Sequence, residues 1–100
     1  MALFEMTSDP DRVSVAVRGP VDRDVVDQLR SVLGTVVVPA APEAAMELDL
    51  SEATSFPRLG IGVLVSARRW FGDRLRIRGN SEVLALVEDA GLGRVLQLGV

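Results

Sequence analysis

The spacing of the apolar residues changes several times along this chain, and that change limits the possible folds most strongly. In residues 13–17 valines alternate with small residues, which is the two-residue period of a strand with one buried face. In residues 22–36 the apolar residues recur at steps of three and four, with charged residues between them, which is typical of an amphipathic helix. We therefore expect a domain that combines strands with helices.

The same periods predict the remaining elements in order. The apolar residues predict strands over 3–6, 13–17, 46–50, 75–77 and 95–98, and helices over 22–36, 61–71 and 81–90. A Ser-Asp-Pro-Asp turn follows the first strand, and a proline-containing loop over 38–45 precedes the third. The order β β α β α β α β predicts an α/β fold, with a mixed, mostly parallel sheet and about three helices packed on it. At 100 residues, we expect a single domain spanning 1–100.

Several polar residues stand where helices should begin or where a strand should meet water. Asp22 is the predicted N-cap of the first helix, and Asn80 or Ser81 that of the third. The strand over 75–77 alternates with arginines, which predicts one arginine-covered face. We interpret that face as solvated sheet or as an edge protected by charge, in preference to a phosphate-binding surface.

The composition excludes much of enzyme chemistry. The chain has no cysteine and no histidine, so it lacks thiol nucleophiles, thiolate metal ligands and the commonest general base. We predict no enzyme activity, no metal and no cofactor. The net charge of −3 does not favour nucleic acid as a partner, and no segment approaches the ~20 apolar residues of a membrane span. The N-terminus does not have the pattern of a secretion signal, so we expect a cytoplasmic protein without direct membrane insertion.

The predicted functional site is the loop of residues 54–60. It lies between the end of the third strand and the start of the second helix, where Gly60 and Gly62 would let the helix start close to the sheet. In sheets of this kind, binding residues gather where a strand ends and the next helix begins.

Four motifs, in this order and at these spacings, resemble the STAS domain family, whose founding members are bacterial anti-sigma factor antagonists. Residues 17–22 (VRGPVD) resemble the family's Gly-x-x-Asp entry to its first helix, and residues 49–51 (DLS) its Asp-Leu-Ser after the central strand. Residues 60–64 (GIGVL) resemble the Gly-Leu-Gly start of its second helix, and residues 90–92 (AGL) its Gly-Leu step before the closing strand. The resemblance covers nearly the whole chain.

The resemblance implies a protein-binding role in transcription regulation, with an anti-sigma factor or related kinase-type ATPase as the partner. In the antagonists, a serine directly before the helix-starting glycine is phosphorylated by that partner, and the phosphate prevents binding. The corresponding residue here is Leu59, preceded by Pro57 and Arg58 where the family has Asp and Ser. Leucine neither accepts a phosphate nor imitates its charge, so we expect this phosphoacceptor position to be degenerate.

On this basis we predict a set of partner-binding residues in and around the loop. They are Asp22, Thr54, Ser55, Pro57, Arg58, Leu59, Gly60, Ile61 and Leu64.

Three functions are consistent with these residues. The first is an anti-sigma factor antagonist that binds its partner without the serine switch. The second is a STAS scaffold subunit of a larger complex, such as a stress-sensing assembly or a lipid-transporting ABC system. The third is a domain that binds a small ligand or nucleotide at the strand-to-helix junction. The sequence leaves open whether the chain also forms a homo-oligomer.

The roles of individual residues near the loop also stay open. Leu59 fits a core position as well as an interface, and Arg58 fits a solvated loop as well as a contact with a partner carboxylate. Asp49 is expected to hold the loop by hydrogen bonds to its backbone. Trp70 is expected in the core or at its rim, and its exposure would indicate a contact site.

Overall fold

A computed structural model describes residues 3–8, 11–37 and 45–98 of the chain. Its elements are β1 (Leu3–Ser8), β2 (Arg12–Pro20), α1 (Arg23–Val37), β3 (Ala45–Asp49), β4 (Ala53–Ser55), a 3₁₀ turn (Arg58–Gly60), α2 (Ile61–Phe71), a second 3₁₀ turn (Gly72–Arg74), β5 (Leu75–Arg78), α3 (Ser81–Asp89) and α4 (Gly93–Leu96). Residues 38–44 of the predicted proline loop and the middle of the predicted Ser-Asp-Pro-Asp turn lie outside the described residues, whereas Ala45 already belongs to β3.

The strands form one mixed, mostly parallel sheet in the order β1-β2-β3-β5. β1 pairs antiparallel with β2, whereas the pairs β2–β3 and β3–β5 are parallel. β4 pairs in parallel with the last residues of β2, beyond the point where β3 has ended. The predicted fold class is therefore confirmed.

The hydrophobic core lies on one face of this sheet. Val15 and Val17 of β2 and Leu48 of β3 are fully buried, whereas the residues that alternate with them are at least partly exposed. The helices cover the buried face with apolar residues spaced at three or four, which include Val26, Leu29, Leu33, Val63, Leu64, Ala67, Val83 and Val87. The periods that predicted strands and helices thus arise from burial on a single face of each element.

The predicted helix boundaries rest on specific caps. The Asp22 Oδ1 atom accepts a hydrogen bond of 2.9 Å from the Val25 amide at the start of α1. The Asn80 Oδ1 atom accepts one of 3.0 Å from the Val83 amide at the start of α3. Gly91 lies just beyond the C-terminal end of α3, and its φ of +75° is a backbone conformation that favours glycine. The predicted N-caps of the first and third helices are confirmed, and Gly91 marks the end of α3.

The predicted final strand over 95–98 is wrong, because residues 95 and 96 are the last two residues of the short helix α4 and residues 97 and 98 belong to no strand. Leu96 is fully buried and Val95 is 50% exposed, so burial alternates along this segment as it would in a strand, although its backbone is helical through Leu96. The Arg68 guanidinium donates to the carbonyl oxygens of Val95 and Leu96, as well as to those at the end of α2 and the start of β5. A short apolar run does not by itself distinguish a strand from a buried helical turn, and here the helical turn is stabilised by a distant arginine.

The opposite face of the sheet carries charged and small residues. Register places Glu47 beside Arg76 and Asp49 beside Arg78 on neighbouring strands. Both arginines are exposed, and β5 is the last strand of the sheet, so the predicted arginine face is both solvated and at an edge. In the described part of the chain, no helix is long and apolar enough to cross a membrane.

Candidate functional site

The candidate site lies at the edge of the sheet where the parallel strands β2, β3 and β5 end. The loop after β3 is held against the end of β2 by backbone hydrogen bonds. The Gly19 amide donates to the Glu52 carbonyl and the Val21 amide to the Ser55 carbonyl, each at 3.1 Å. These bonds place Ser55 directly beside the entry to α1, where Asp22 lies, so two separate parts of the predicted site meet.

Asp49 shapes the first turn of the loop. Its Oδ1 atom accepts hydrogen bonds from the Ser51 amide at 2.9 Å and from the Ser51 hydroxyl at 2.6 Å. Burial raises the pKa of Asp49, but the two Ser51 bonds and the nearby charges of Arg78 and Arg18 lower it, and the net pKa lies below its ordinary value. The predicted structural role of Asp49 is confirmed.

Asn80 holds the same loop from the other side. Its Nδ2 atom donates to the Ala53 carbonyl at 2.7 Å and reaches the Ser51 carbonyl at 3.4 Å, while its Oδ1 atom caps α3. One amide side chain therefore ties the start of α3 to the loop backbone. The sequence identified Asn80 only as a cap, because its contact with residues nearly 30 positions earlier leaves no local pattern.

Phe56 anchors the second half of the loop. The ring is buried and lies so close to Gly60 that a Cβ atom added there would be 2.6 Å from two ring carbons. No ordinary contact is that short, so Gly60 is required for this close approach. Phe56 was not among the predicted site residues, although it is the single aromatic residue within 54–60 and its sequence position was a usable signal.

The 3₁₀ turn Arg58–Gly60 joins the loop to α2. Within this turn, the Gly60 amide donates a hydrogen bond of 2.9 Å to the Pro57 carbonyl. Leu59 in the middle of this turn is 44% exposed, which rules out the core position that its apolar character also allowed. No side chain of the described residues caps the first turn of α2.

The predicted site residues divide into an exposed group and a supporting group. The exposed ones are Asp22, Thr54, Ser55, Arg58 and Leu59, with Pro57 half-buried between them. Gly60, Ile61 and Leu64 are buried, so their prediction as contact residues needs correction. Their helical spacing turns them toward the core, where they support the loop from beneath.

The outer side of α2 continues this exposed surface. Gly62, Ser66 and Trp70 are four residues apart and therefore share one face of the helix. Trp70 is 39% exposed at the far end of that face, beside the exposed Arg69. Trp70 therefore has the exposure that was expected to indicate a contact site. We call Leu59 and the exposed outer side of α2, from Gly62 to Trp70, the α2 surface.

Most exposed side chains of the loop are uncharged. Arg58 carries the only charge within residues 54–60. Among residues 3–8, 11–37 and 45–98, no three His, Cys, Asp or Glu side chains are grouped closely enough to hold a metal ion. What the site presents is an exposed leucine, two exposed hydroxyl residues and a half-exposed tryptophan on a loop and helix fixed by hydrogen bonds.

No protein-family model and no curated protein matches the chain, but solved structures do. An anti-sigma factor antagonist from Mycobacterium paratuberculosis superposes with a TM-score of 0.81 at 19% identity, over 98% of this chain and 85% of that one. The anti-sigma factor antagonist SpoIIAA in its unphosphorylated form gives a TM-score of 0.78 at 15% identity, over 98% and 89% of the two chains. The Bacillus cell fate determinant SpoIIAA in its phosphorylated form gives 0.71 at 14% identity, over 98% and 92%. The chain thus has the STAS fold of the anti-sigma factor antagonists, which its sequence motifs predicted.

Proposed function

We propose that this chain is a non-catalytic domain that binds an anti-sigma factor of the serine-kinase type, or a related ATPase, without a phosphorylation switch. The observation that carries the proposal is the position of Leu59. It lies at the strand-to-helix junction, directly before Gly60, with 44% of its surface exposed. Its place in the motif corresponds to the phosphorylated serine of the antagonists that the sequence resembles.

The side chain at this position determines how binding could be regulated. A phosphate adds close to two negative charges, and those charges are costly to bury in an interface without arginines to receive them. Leu59 has no hydroxyl to carry a phosphate. We therefore propose that the chain binds constitutively, within the bacterial cytoplasm and as part of transcription regulation.

The surroundings of Leu59 support a protein as the ligand. An exposed apolar side chain with a polar and charged rim is the usual composition of a protein interface, and tryptophan and arginine are common among its strongest contacts. Thr54, Ser55 and Arg58 are exposed polar residues in the same loop as Leu59, and Trp70 lies at the other end of the α2 surface. The hydrogen bonds of Asp49 and Asn80 fix the loop before binding, so little ordering is required when a partner docks.

The substitution Leu59→Asp tests this surface. A carboxylate in the middle of the interface would lose its hydration, and we expect the affinity for an anti-sigma factor of the serine-kinase type to fall at least about tenfold. Val95→Asp is the matched control, since Val95 is a comparably exposed apolar residue that lies on α4 and outside the loop sequence. Titration calorimetry on both variants measures the difference. Equal affinities for Leu59→Asp and the unmodified chain would place the interface elsewhere.

A further inference from the structure

The outer edge of β5 is a second surface with the features of a binding site. β5 is the last strand in the sheet order, and in the described part of the chain no strand pairs with its outer side. We propose that this edge binds an extended segment of a partner protein in which acidic and apolar residues alternate. The α2 surface includes no residue of β5, so the inference does not depend on the proposed function.

The backbone of β5 is oriented for such an addition. The Leu50 amide donates to the Arg78 carbonyl at 2.7 Å, so the polar groups of Arg78 point toward β3. Because these groups alternate in direction along a strand, the N–H and C=O of Ile77 point away from the sheet. The carbonyl of Leu75 also points outward, and it accepts a hydrogen bond of 2.9 Å from Arg68. An added strand would therefore pair at Ile77.

A groove runs along this part of the sheet. Its volume is about 620 Å³, and its walls include all four residues of β5 together with Glu47, Arg68, Asp73 and Gln97. A groove of this size holds a short peptide segment, and extended peptides that add to a sheet edge gain main-chain hydrogen bonds there.

The inner edge of β5 indicates which side chains an added strand should carry. Register places Glu47 beside Arg76, Leu48 beside Ile77 and Asp49 beside Arg78. The three β3 residues beside β5 are therefore acidic, apolar and acidic in turn. A strand on the outer side would lie about 4.8 Å from β5 and meet the same three side chains from the other direction. Complementarity to Arg76 and Arg78 therefore favours acidic residues at alternate positions.

The same arginines argue against a second copy of this chain as the occupant. Two β5 edges that paired with each other would bring the arginines of both copies together on one face, and like charges on adjacent strands are destabilising. Charged side chains at a sheet edge also serve to prevent pairing altogether. A protective edge would bind neither an acidic nor a basic peptide, so experiment distinguishes these cases.

A titration of the isotopically labelled protein with a capped eight-residue peptide of alternating valine and glutamate tests the proposal. NMR hydrogen exchange reads out the Ile77 amide, which a paired strand would cover and a loosely attracted peptide would not. We expect exchange at Ile77 to slow at least about tenfold at saturating peptide, while the inward-facing amide of Arg78 changes little. A peptide of alternating valine and arginine should not bind.

The double variant Arg76→Gln/Arg78→Gln identifies the source of the affinity. We expect its affinity for the acidic peptide to fall by roughly tenfold, because two cross-strand charge pairs are lost. Arg23→Gln, an exposed arginine at the start of α1, is the control and should bind as the unmodified chain does. Absence of peptide binding, binding without protection of Ile77, or equal binding by the double variant would each overturn the proposal. So would protection of Ile77 by concentration-dependent self-association without peptide.

Discussion

The ring of Phe56 packs against Gly60 so closely that a Cβ atom on Gly60 would lie 2.6 Å from two ring carbons. The contact joins the two ends of the segment that presents Leu59. Since Phe56 is buried and the Gly60 backbone lies directly over it, the turn between them has little freedom to move. The glycine of the helix-start motif therefore has a packing role in this chain, independent of any phosphate.

We predict that Gly60→Ala lowers the free energy of unfolding by about 1–3 kcal/mol, because the added methyl group must displace the Phe56 ring. Gly62→Ala is the control, since an added Cβ there meets nothing within 4 Å. In the first turn of α2 that change should be neutral or stabilising by up to about 1 kcal/mol. Urea denaturation measures both. Equal effects of the two substitutions would contradict the close packing at Gly60.

Asp49 should make the stability depend on pH. The folded-state pKa of Asp49 lies below the ordinary value of 3.8. The stabilisation of the folded state by the ionised carboxylate is therefore fully present above pH 3.8, and it is lost as the pH falls through the folded-state pKa. We predict that Asp49→Asn is less stable at neutral pH by about 1 kcal/mol and loses less stability on acidification. Denaturation from pH 7 to pH 3 tests this, with Asp89→Asn on the exposed end of α3 as the control. Parallel pH profiles for Asp49→Asn and the unmodified chain would contradict it.

Two substitutions separate the two roles of Asn80. Asn80→Asp keeps the oxygen that caps α3 but removes the donor to the Ala53 carbonyl, whereas Asn80→Ala removes both. We expect Asn80→Ala to cost about 1–3 kcal/mol, and Asn80→Asp to preserve the cap while residues 51–55 exchange amide hydrogens faster. Denaturation measures the loss of stability in each variant, and hydrogen exchange measures the protection of the amides of residues 51–55. Unchanged exchange of residues 51–55 in both variants would mean that Asn80 does not hold the loop.

The sequence predicts this fold well where burial on one face produces a regular pattern. The valines of β2 alternate because one side of the strand lies in the core, and the spacing in α1 follows from the same cause. The caps at Asp22 and Asn80 were also predictable, since each accepts a bond from a residue three positions later. These are local interactions, so they leave a local signal.

The errors concern interactions between distant residues. The last apolar segment forms α4 instead of a strand, and Arg68 bonds its carbonyl groups from 27 and 28 positions earlier. β4 exists because the end of β2 offers a pairing edge, and three residues are too few to show a period. Leu64 was predicted as a partner-binding residue, although the helical period that includes it turns it into the core. The position of Leu59 in the motif was predictable, but its exposure was not.

The most direct test of the central claim compares binding of an anti-sigma factor of the serine-kinase type before and after the chain is incubated with that kinase and ATP. We predict unchanged affinity and no phosphate at residue 59 by mass spectrometry, because Leu59 has no acceptor oxygen. Stoichiometric phosphate on Thr54 or Ser55, accompanied by loss of binding, would contradict the claim and show that the switch has moved within the same loop.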